Sequence, residues 1–233
     1  MKEEKSHYIK ETMENIAHQW RQPLSQINST VSLIDKILYD KNIQDPLLEE
    51  KLQEIEALTR YMSDTIDDFK NHFIHDEEKE NIKLSILIKD AIVAVESSFK
   101  ENKIKLNLKI DAAYESVCYV HQLKQILIVL LNNAKDALVE RNTFNAQVTV
   151  ELLHQKGEYI IKIADNAGGI TKSVKEKMFE PYYTTKHKSQ GTGIGLYMAK
   201  KIIVQCHNGS LNVNNIGTGT VFSISLPEGQ IYE

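Results

Sequence analysis

The sequence predicts an α+β chain in two parts. An antiparallel helical hairpin pairs with a second copy into a dimeric four-helix bundle, and an α/β sandwich follows, a mixed sheet with helices on one face. Three observations carry this. Residues 2 to 74 contain no glycine and only two prolines, and apolar residues recur through them in steps of four and three. A charged stretch, His75-Asp76-Glu77-Glu78-Lys79-Glu80-Asn81, interrupts that pattern. Beyond it, short alternating segments mix with longer apolar ones, and glycine gathers in three clusters.

In the first helix Met13, Trp20, Ile27 and Ile34 take heptad a positions, and Ile9, Ile16, Pro23, Thr30 and Ile37 take d positions. Leu24, Val31 and Leu38 flank that seam and widen it. His18 falls at f, farthest from the seam, where an imidazole packs nothing and is free to meet another molecule. One turn later Pro23 removes a backbone donor and crowds the carbonyl of Gln19. That is a disruption of roughly 3 kcal/mol unless a kink absorbs it. The stripe ends near Leu38-Tyr39, and Asp40 to Pro46 reads as a turn, with Asp45 as N-cap and Pro46 in the first turn of the next helix. A second heptad runs through Leu48, Leu52, Ile55, Thr59, Met62, Ile66, Phe69 and Phe73. Two such arms, each about 45 Å long, expose a broad apolar face, and a parallel homodimer is the economical way to bury it. The predicted domains are 1–75 for the hairpin, 76–81 for a linker, and 82–233 for the second part.

In the second part, helices are expected at about Ser85–Glu101, Gln122–Glu140 and Gly195–Cys206. Strands are expected at Lys105–Ile110, Ser116–Tyr119, Gln147–Leu153, Tyr159–Ala164, Ser210–Val213 and Thr220–Leu226. The 233 residues suit one large or two small domains, and 42% apolar content is ordinary for a globular chain. A net charge of -4 with a pI near 6.1 offers no global attraction to nucleic acid or anionic lipid. Two cysteines, Cys118 and Cys206, make no disulfide framework. With no run of about 18 apolar residues and no signal peptide, a soluble, cytoplasmic chain without a transmembrane segment is expected. Because the heptad is already running at the N-terminus, further chain is expected upstream.

The glycine clusters are Asp165-Asn166-Ala167-Gly168-Gly169-Ile170, Gly191-Thr192-Gly193-Ile194-Gly195-Leu196 and Gly217-Thr218-Gly219-Thr220. Such density lets backbone N–H groups approach a phosphate, and the second cluster opens a helix whose dipole favours an anion. It is not a Walker loop, because no Gly-Lys-Ser/Thr follows, nor a convincing dinucleotide fingerprint. Upstream, Asn132, Asn133 and Asp136 set oxygen ligands on an otherwise apolar helix, a donor set suited to hydrated Mg²⁺ beside nucleotide phosphates.

Taken together these motifs resemble the two-component sensor histidine kinases, whose ATP-binding domain belongs to the GHKL group shared with gyrase, Hsp90 and MutL. Ala17 to Leu24 resembles the phosphoacceptor box, Gln125 to Leu138 the N box, and Asp165 to Ile170 the first glycine box. Met178 to Lys186 resembles the F box, and Gly191 to Leu196 the second glycine box. The resemblance implies that His18 accepts the γ-phosphoryl group of ATP and passes it to an aspartate on a response-regulator receiver domain. It implies Mg²⁺ on Asn133, with Asn132 and Asp136 beside it. Asp165 would accept the adenine amino group, with Gly168, Gly169 and Thr220 around the base. Gly191, Gly193, Gly195 and Leu196 would serve the phosphates. Residues from about Ile170 to Gln190 would form a basic lid, with Lys186 its leading cation.

Three departures from the family pattern stand out. The position after the histidine, often acidic, is Gln19, whose amide oxygen accepts a hydrogen bond but not a proton. One turn on, where Thr or Asn often accompanies phosphatase activity, stands Gln22. Four residues before Asn133, where Asn is common, stands Val129. A GHKL-type ATPase or a catalytically weak dimeric ATP-binding scaffold is the alternative. A gyrase-like ATPase, however, would want a water-activating Glu in the N box, and Val129 cannot serve.

Overall fold

The computed structural model describes the backbone of residues 2–73, 78–110, 112–186 and 193–228. Side chains are described from residue 21 onward within those spans, except 60, 61 and 64–73. The chain divides into a hairpin unit and a sheet-containing unit.

The hairpin consists of α1 (Lys2–Asp40) and α2 (Pro46–Phe73). Helix α1 runs unbroken through Pro23. It ends where Asn42 turns left-handed at φ 54°. Ile43 N–H then bonds Leu38 O at 2.9 Å and Asn42 N–H bonds Tyr39 O at 3.1 Å, which satisfies the last carbonyls. Asp45 caps α2 as expected, its Oδ1 accepting from Leu47 N at 2.9 Å and Leu48 N at 3.2 Å.

Between the arms, the α1 residues that close on α2 are not the predicted a/d seam, whereas Leu52 and Thr59 of α2 belong to the expected heptad. Leu24 and Val31, the flanking positions, are buried together with Leu52 and Thr59 of α2. The Thr59 hydroxyl donates to Asn28 Oδ1 across the pair. Ile27, Ile34 and Ile37 remain 42, 37 and 43% exposed, and Leu48 and Ile55 36 and 39%. The two heptads each split into an inner stripe used within the hairpin and an outer stripe that one chain leaves open.

The second unit holds β1 (Glu80–Lys83), α3 (Leu84–Glu101), β2 (Lys105–Ile110), β3 (Glu115–Cys118), α4 (Val120–Glu140), β4 (Gln147–Gln155) and β5 (Glu158–Asp165). It continues with α5 (Lys172–Lys177), α6 (Gly195–Gln205), β6 (Ser210–Ile216) and β7 (Gly219–Pro227). The main sheet has the order β2-β4-β5-β7-β6, parallel only between β2 and β4. Strand β1 begins inside the charged stretch that the sequence assigns to a linker, and it pairs antiparallel with β3. Helix α5 lies within the expected lid, started by Thr171, whose Oγ1 accepts from Val174 N at 3.3 Å.

Period-two alternation sets the sheet's inner face. Val148, Val150 and Leu152 of β4, Tyr159, Ile161 and Ile163 of β5, and Phe222, Ile224 and Leu226 of β7 are buried in matched columns. Helix α4 buries Leu123, Ile126, Leu127, Leu130, Leu131, Ala134 and Leu138 at three-to-four spacing and packs on β4 and β5, with α3 and α6 beside it. The opposite face carries Glu151 and Lys162, whose charged groups lie 3.8 Å apart. One face is therefore core and the other wet.

Candidate nucleotide site

Strand β5 alternates so regularly that its last residue is forced onto the inner face. Asp165 follows Ile163 in the buried column, beside Val148 of β4, and is only 7% exposed. A carboxylate there needs donors. Two backbone amides supply them, Ala167 N at 2.8 Å and Thr220 N at 3.3 Å, both on Oδ1. That leaves Oδ2 as the oxygen offered to a ligand. Burial pushes the Asp165 carboxyl above the ordinary carboxylate range, while these amides and the Arg141 guanidinium draw it back. Gly219 makes the approach of β7 possible, because a Cβ there would lie 1.7 Å from the Asp165 carbonyl oxygen. Thr220 is itself buried, 4% exposed.

After Asp165 the chain turns through Gly168 and Gly169, at φ 92° and 79°. This loop is pinned from three sides. Arg141, just past α4, donates from Nη1 to Ala167 O and to Gly169 O, the latter at 2.7 Å. Asn215 of β6 accepts from Ile170 N at 2.9 Å and donates to Ile170 O at 2.8 Å. Asn166 accepts from Gln147 N at 2.8 Å and donates to Asn145 O at 3.0 Å. The sequence motifs give no role to Arg141, Asn166 or Asn215. An arginine after a helix reads as a solvated charge, and asparagines at a strand end read as a turn.

On α4, Val129, Asn133 and Asp136 lie at four- and three-residue spacing and so share a face. Asn133 donates Nδ2 to Val129 O at 2.8 Å, which leaves Oδ1 as the acceptor offered outward. Asn132 and Asp136 are half-buried beside it, and Lys135 reaches Asp136 Oδ1 at 3.4 Å while donating to Ser98 Oγ at 3.2 Å. One amide oxygen and one carboxylate on a half-exposed helix face fit a hard divalent cation that keeps most of its waters. The Val129 side chain is turned to packing: a Cβ on Gly195 would sit 3.3 Å from Val129 Cγ1.

Gly195 and Leu196 open α6, and the N-cap position, Ile194, gives no side-chain hydrogen bond to the helix start. The first N–H groups of α6 are thus left for an anion. Gly193, at φ 66°, is required where it stands, since a Cβ would lie 2.5 Å from the Tyr182 carbonyl carbon. Tyr182 is held left-handed at φ 65° and donates its N–H to Gly193 O at 3.1 Å, tying the F-box segment to the second glycine cluster.

Some expected site residues fall elsewhere. Gln22 is exposed on α1 next to Pro23, and His18 and Gln19 belong to the same helix, but the side chains of those two lie outside the described residues. Lys186 is half-buried at the end of a described span, and Gly191 is outside the described residues. What the structure brings together in the second unit is Asp165, Gly168, Gly169 and Thr220 at one point, and Asn133 and Val129 with Gly195 at another.

Comparison with known proteins places these features. Residues 119–230 match the family described as "Histidine kinase-, DNA gyrase B-, and HSP90-like ATPase". The signal transduction histidine-protein kinase AtoS of Escherichia coli (strain K12) is 26% identical over 93% of this chain and 34% of its own length. Sporulation kinase E of Bacillus subtilis (strain 168) is 29% identical over 96% of this chain and 29% of its own length. The chain thus spans about a third or less of the length of these two curated relatives. Among solved structures, the catalytic domain of histidine kinase ThkA aligns with a TM-score of 0.58 at 28% identity, covering 65% of this chain and 96% of that one. ThkA in its complex with the response regulator TrrA aligns along 100% of this chain and 66% of that one, with a TM-score of 0.59 at 21% identity. Residues 119–230 thus form a domain of the histidine kinase-, gyrase- and Hsp90-like ATPase family, and over most of its length the chain is similar in sequence and fold to the catalytic portion of sensor histidine kinases.

Proposed function

We propose that the chain is an ATP-dependent, autophosphorylating protein histidine kinase, with His18 as phosphoacceptor and a response-regulator aspartate as final acceptor. The observation that carries this is the buried Asp165, held by two backbone amides with Oδ2 left over, at the mouth of a glycine loop. An acceptor-only group at that position suits the exocyclic amino group of adenine. The uncapped start of α6 suits the phosphates. Asn133 Oδ1, with Asp136 beside it, would hold Mg²⁺, which offsets phosphate charge when bound.

The hairpin supplies the nucleophile. A neutral imidazole nitrogen of His18 forms a bond to the γ-phosphorus as the bond to the β-γ bridging oxygen breaks and ADP departs. Gln19 can hold the proton on the other ring nitrogen by its amide oxygen, and that proton leaves to water because the amide cannot take it. The exposed outer stripe of Ile27, Ile34, Ile37, Leu48 and Ile55 supports a homodimer in which two hairpins form a four-helix bundle. ThkA, crystallised with the response regulator TrrA, is the precedent for the class of partner. The proposed division is 1–75 for dimerisation and phosphoacceptance and the sheet-containing unit for ATP binding, with the expected 76–81 linker cut short before β1 at Glu80.

Incubation with γ-labelled ATP and Mg²⁺ tests the reading. Wild type should acquire an acid-labile, alkali-stable label that His18→Gln abolishes. Asn133→Ala should lose the label while the dimer persists. An unlabelled wild type would sink the kinase reading, and unchanged labelling in His18→Gln would move the acceptor to another residue.

A further inference from the structure

Arg141 is the residue whose geometry asks for a role beyond those above. It follows α4 directly, where Asn142 turns left-handed at φ 47° and Thr143 N bonds Leu138 O at 3.0 Å. Although Arg141 is an exposed residue overall, its Nη1 donates to the carbonyls of both Ala167 and Gly169. Those two carbonyls bracket Gly168, and a Cβ on Gly168 would lie 3.1 Å from the same nitrogen. One cationic donor therefore faces alternate peptide groups of the loop toward α4, and rotating either one would forfeit a charge-assisted bond. The site's carboxylate stands at the entrance to this loop, bonded to the amide of Ala167.

We propose that Arg141 is a positioning residue of the nucleotide site: it holds the Asp165–Ile170 loop in the shape that presents Asp165 to the base, and thereby sets the preference for an exocyclic amino group over a carbonyl. This rests on the nucleotide-binding reading given above. The chemistry is a matter of donors. An ionised Asp165 only accepts, so it pairs with the amino group of adenine and repels the carbonyl that guanine carries at the equivalent position. A protonated Asp165 could donate to that carbonyl and would lose the discrimination. Among the groups acting on Asp165, Arg141 is the charged one that opposes the upward push of burial; the others are backbone amides, of Ala167 in the loop, of Thr220 in β7 and of Asp165 itself. Val148, paired beside it in β4, is apolar. Removing the guanidinium thus loosens the loop and favours the protonated acid together.

The test uses the full chain and titration calorimetry with Mg·ATP and, separately, Mg·GTP, from about pH 5 to pH 8, the range above the ordinary carboxylate pKa. Arg141→Met is expected to weaken ATP binding about tenfold, the scale of one hydrogen bond involving a charged group. It should also narrow the ATP-to-GTP preference and move the acid limb of ATP binding to higher pH. Arg141→Lys, which keeps the charge but not the fork, should hold the acid limb near that of wild type and show an intermediate preference. If ATP and GTP weaken equally with the acid limb unmoved, Arg141 is only a brace and the inference falls, as it does if ATP affinity is unchanged. Should Arg141→Met fail to fold, the ATP-to-GTP ratio of Arg141→Lys decides, a wild-type ratio overturning the inference. Wild type that binds neither nucleotide would instead overturn the proposed function.

Discussion

Asp165 is suited to its proposed role at the expense of stability. Its carboxyl is buried and its pKa lies above the ordinary range, so the folded state takes up its proton more readily than the unfolded chain does. Stability from this group therefore rises as pH falls through its raised pKa, and at neutral pH the ionised form is a cost. Asp165→Asn retains an oxygen for the amides of Ala167 and Thr220 without the charge. The nucleotide-free variant should melt at or above wild type, by about 2 °C, while ATP binding is lost; a clear fall in melting temperature would show that the charge supports the loop. His207 behaves in the opposite sense. It is buried, its Nε2 has no hydrogen-bond partner among the described residues, and burial, aided by the Lys79 charge, lowers its pKa from 6.5 to about 3. Below pH 6.5 the unfolded chain binds a proton that the folded one refuses, so stability declines as pH falls from 6.5 toward 3. The decline is at most about 1.4 kcal/mol per pH unit. Urea melts of His207→Gln along that range should lack this limb; an identical slope would assign acid sensitivity elsewhere.

At the scale of elements, the hairpin separates two jobs that one heptad pattern conceals. The inner stripe, with Leu24 at 5% exposure and Val31 at 3%, joins α1 to α2. The outer stripe, with Ile27 and Ile34, is the surface proposed to meet a second copy. Leu24→Ala should therefore cost about 2 to 4 kcal/mol of stability, from lost burial and a cavity, with the oligomeric state kept at high concentration. Ile34→Glu should shift sedimentation toward monomer. Monomeric wild type, or a dimer indifferent to Ile34→Glu, would remove the outer stripe as an interface. Helix ends in the second unit follow a shared device. Lys103, Asn142 and Asn208 each turn left-handed after α3, α4 and α6, and the following N–H bonds back into the helix. For α4 that turn is also what sets Arg141 beside the glycine loop.

At the scale of the whole molecule, the periodic elements were legible because their signals are local. The apolar stripe of α4 and the alternation of β4, β5 and β7 each repeat several times within one segment, so the type and rough bounds of each element can be read from that segment alone. Strand β1 is not legible: four residues, Glu80-Asn81-Ile82-Lys83, with a single half-buried side chain, carry no period, and the first two belong to a charged run. The hairpin's outer and inner stripes were merged for a related reason. A heptad marks which residues avoid water and is silent on which chain they turn to.

The sequence by itself determined the two-part organisation, the helix and strand types, the family resemblance, and the candidates Asp165, Asn133 and the glycine clusters. Each of these depends on neighbours a few positions away or on a motif read in order. Only the tertiary structure decided that Asp165 takes the amide of Thr220, 55 residues on, that Arg141 grips the carbonyls of Ala167 and Gly169, and that Asn215 closes on Ile170. Those bonds join segments whose separation along the chain encodes no period. Strand register and the exit direction of α4 must both be set before any of them can form.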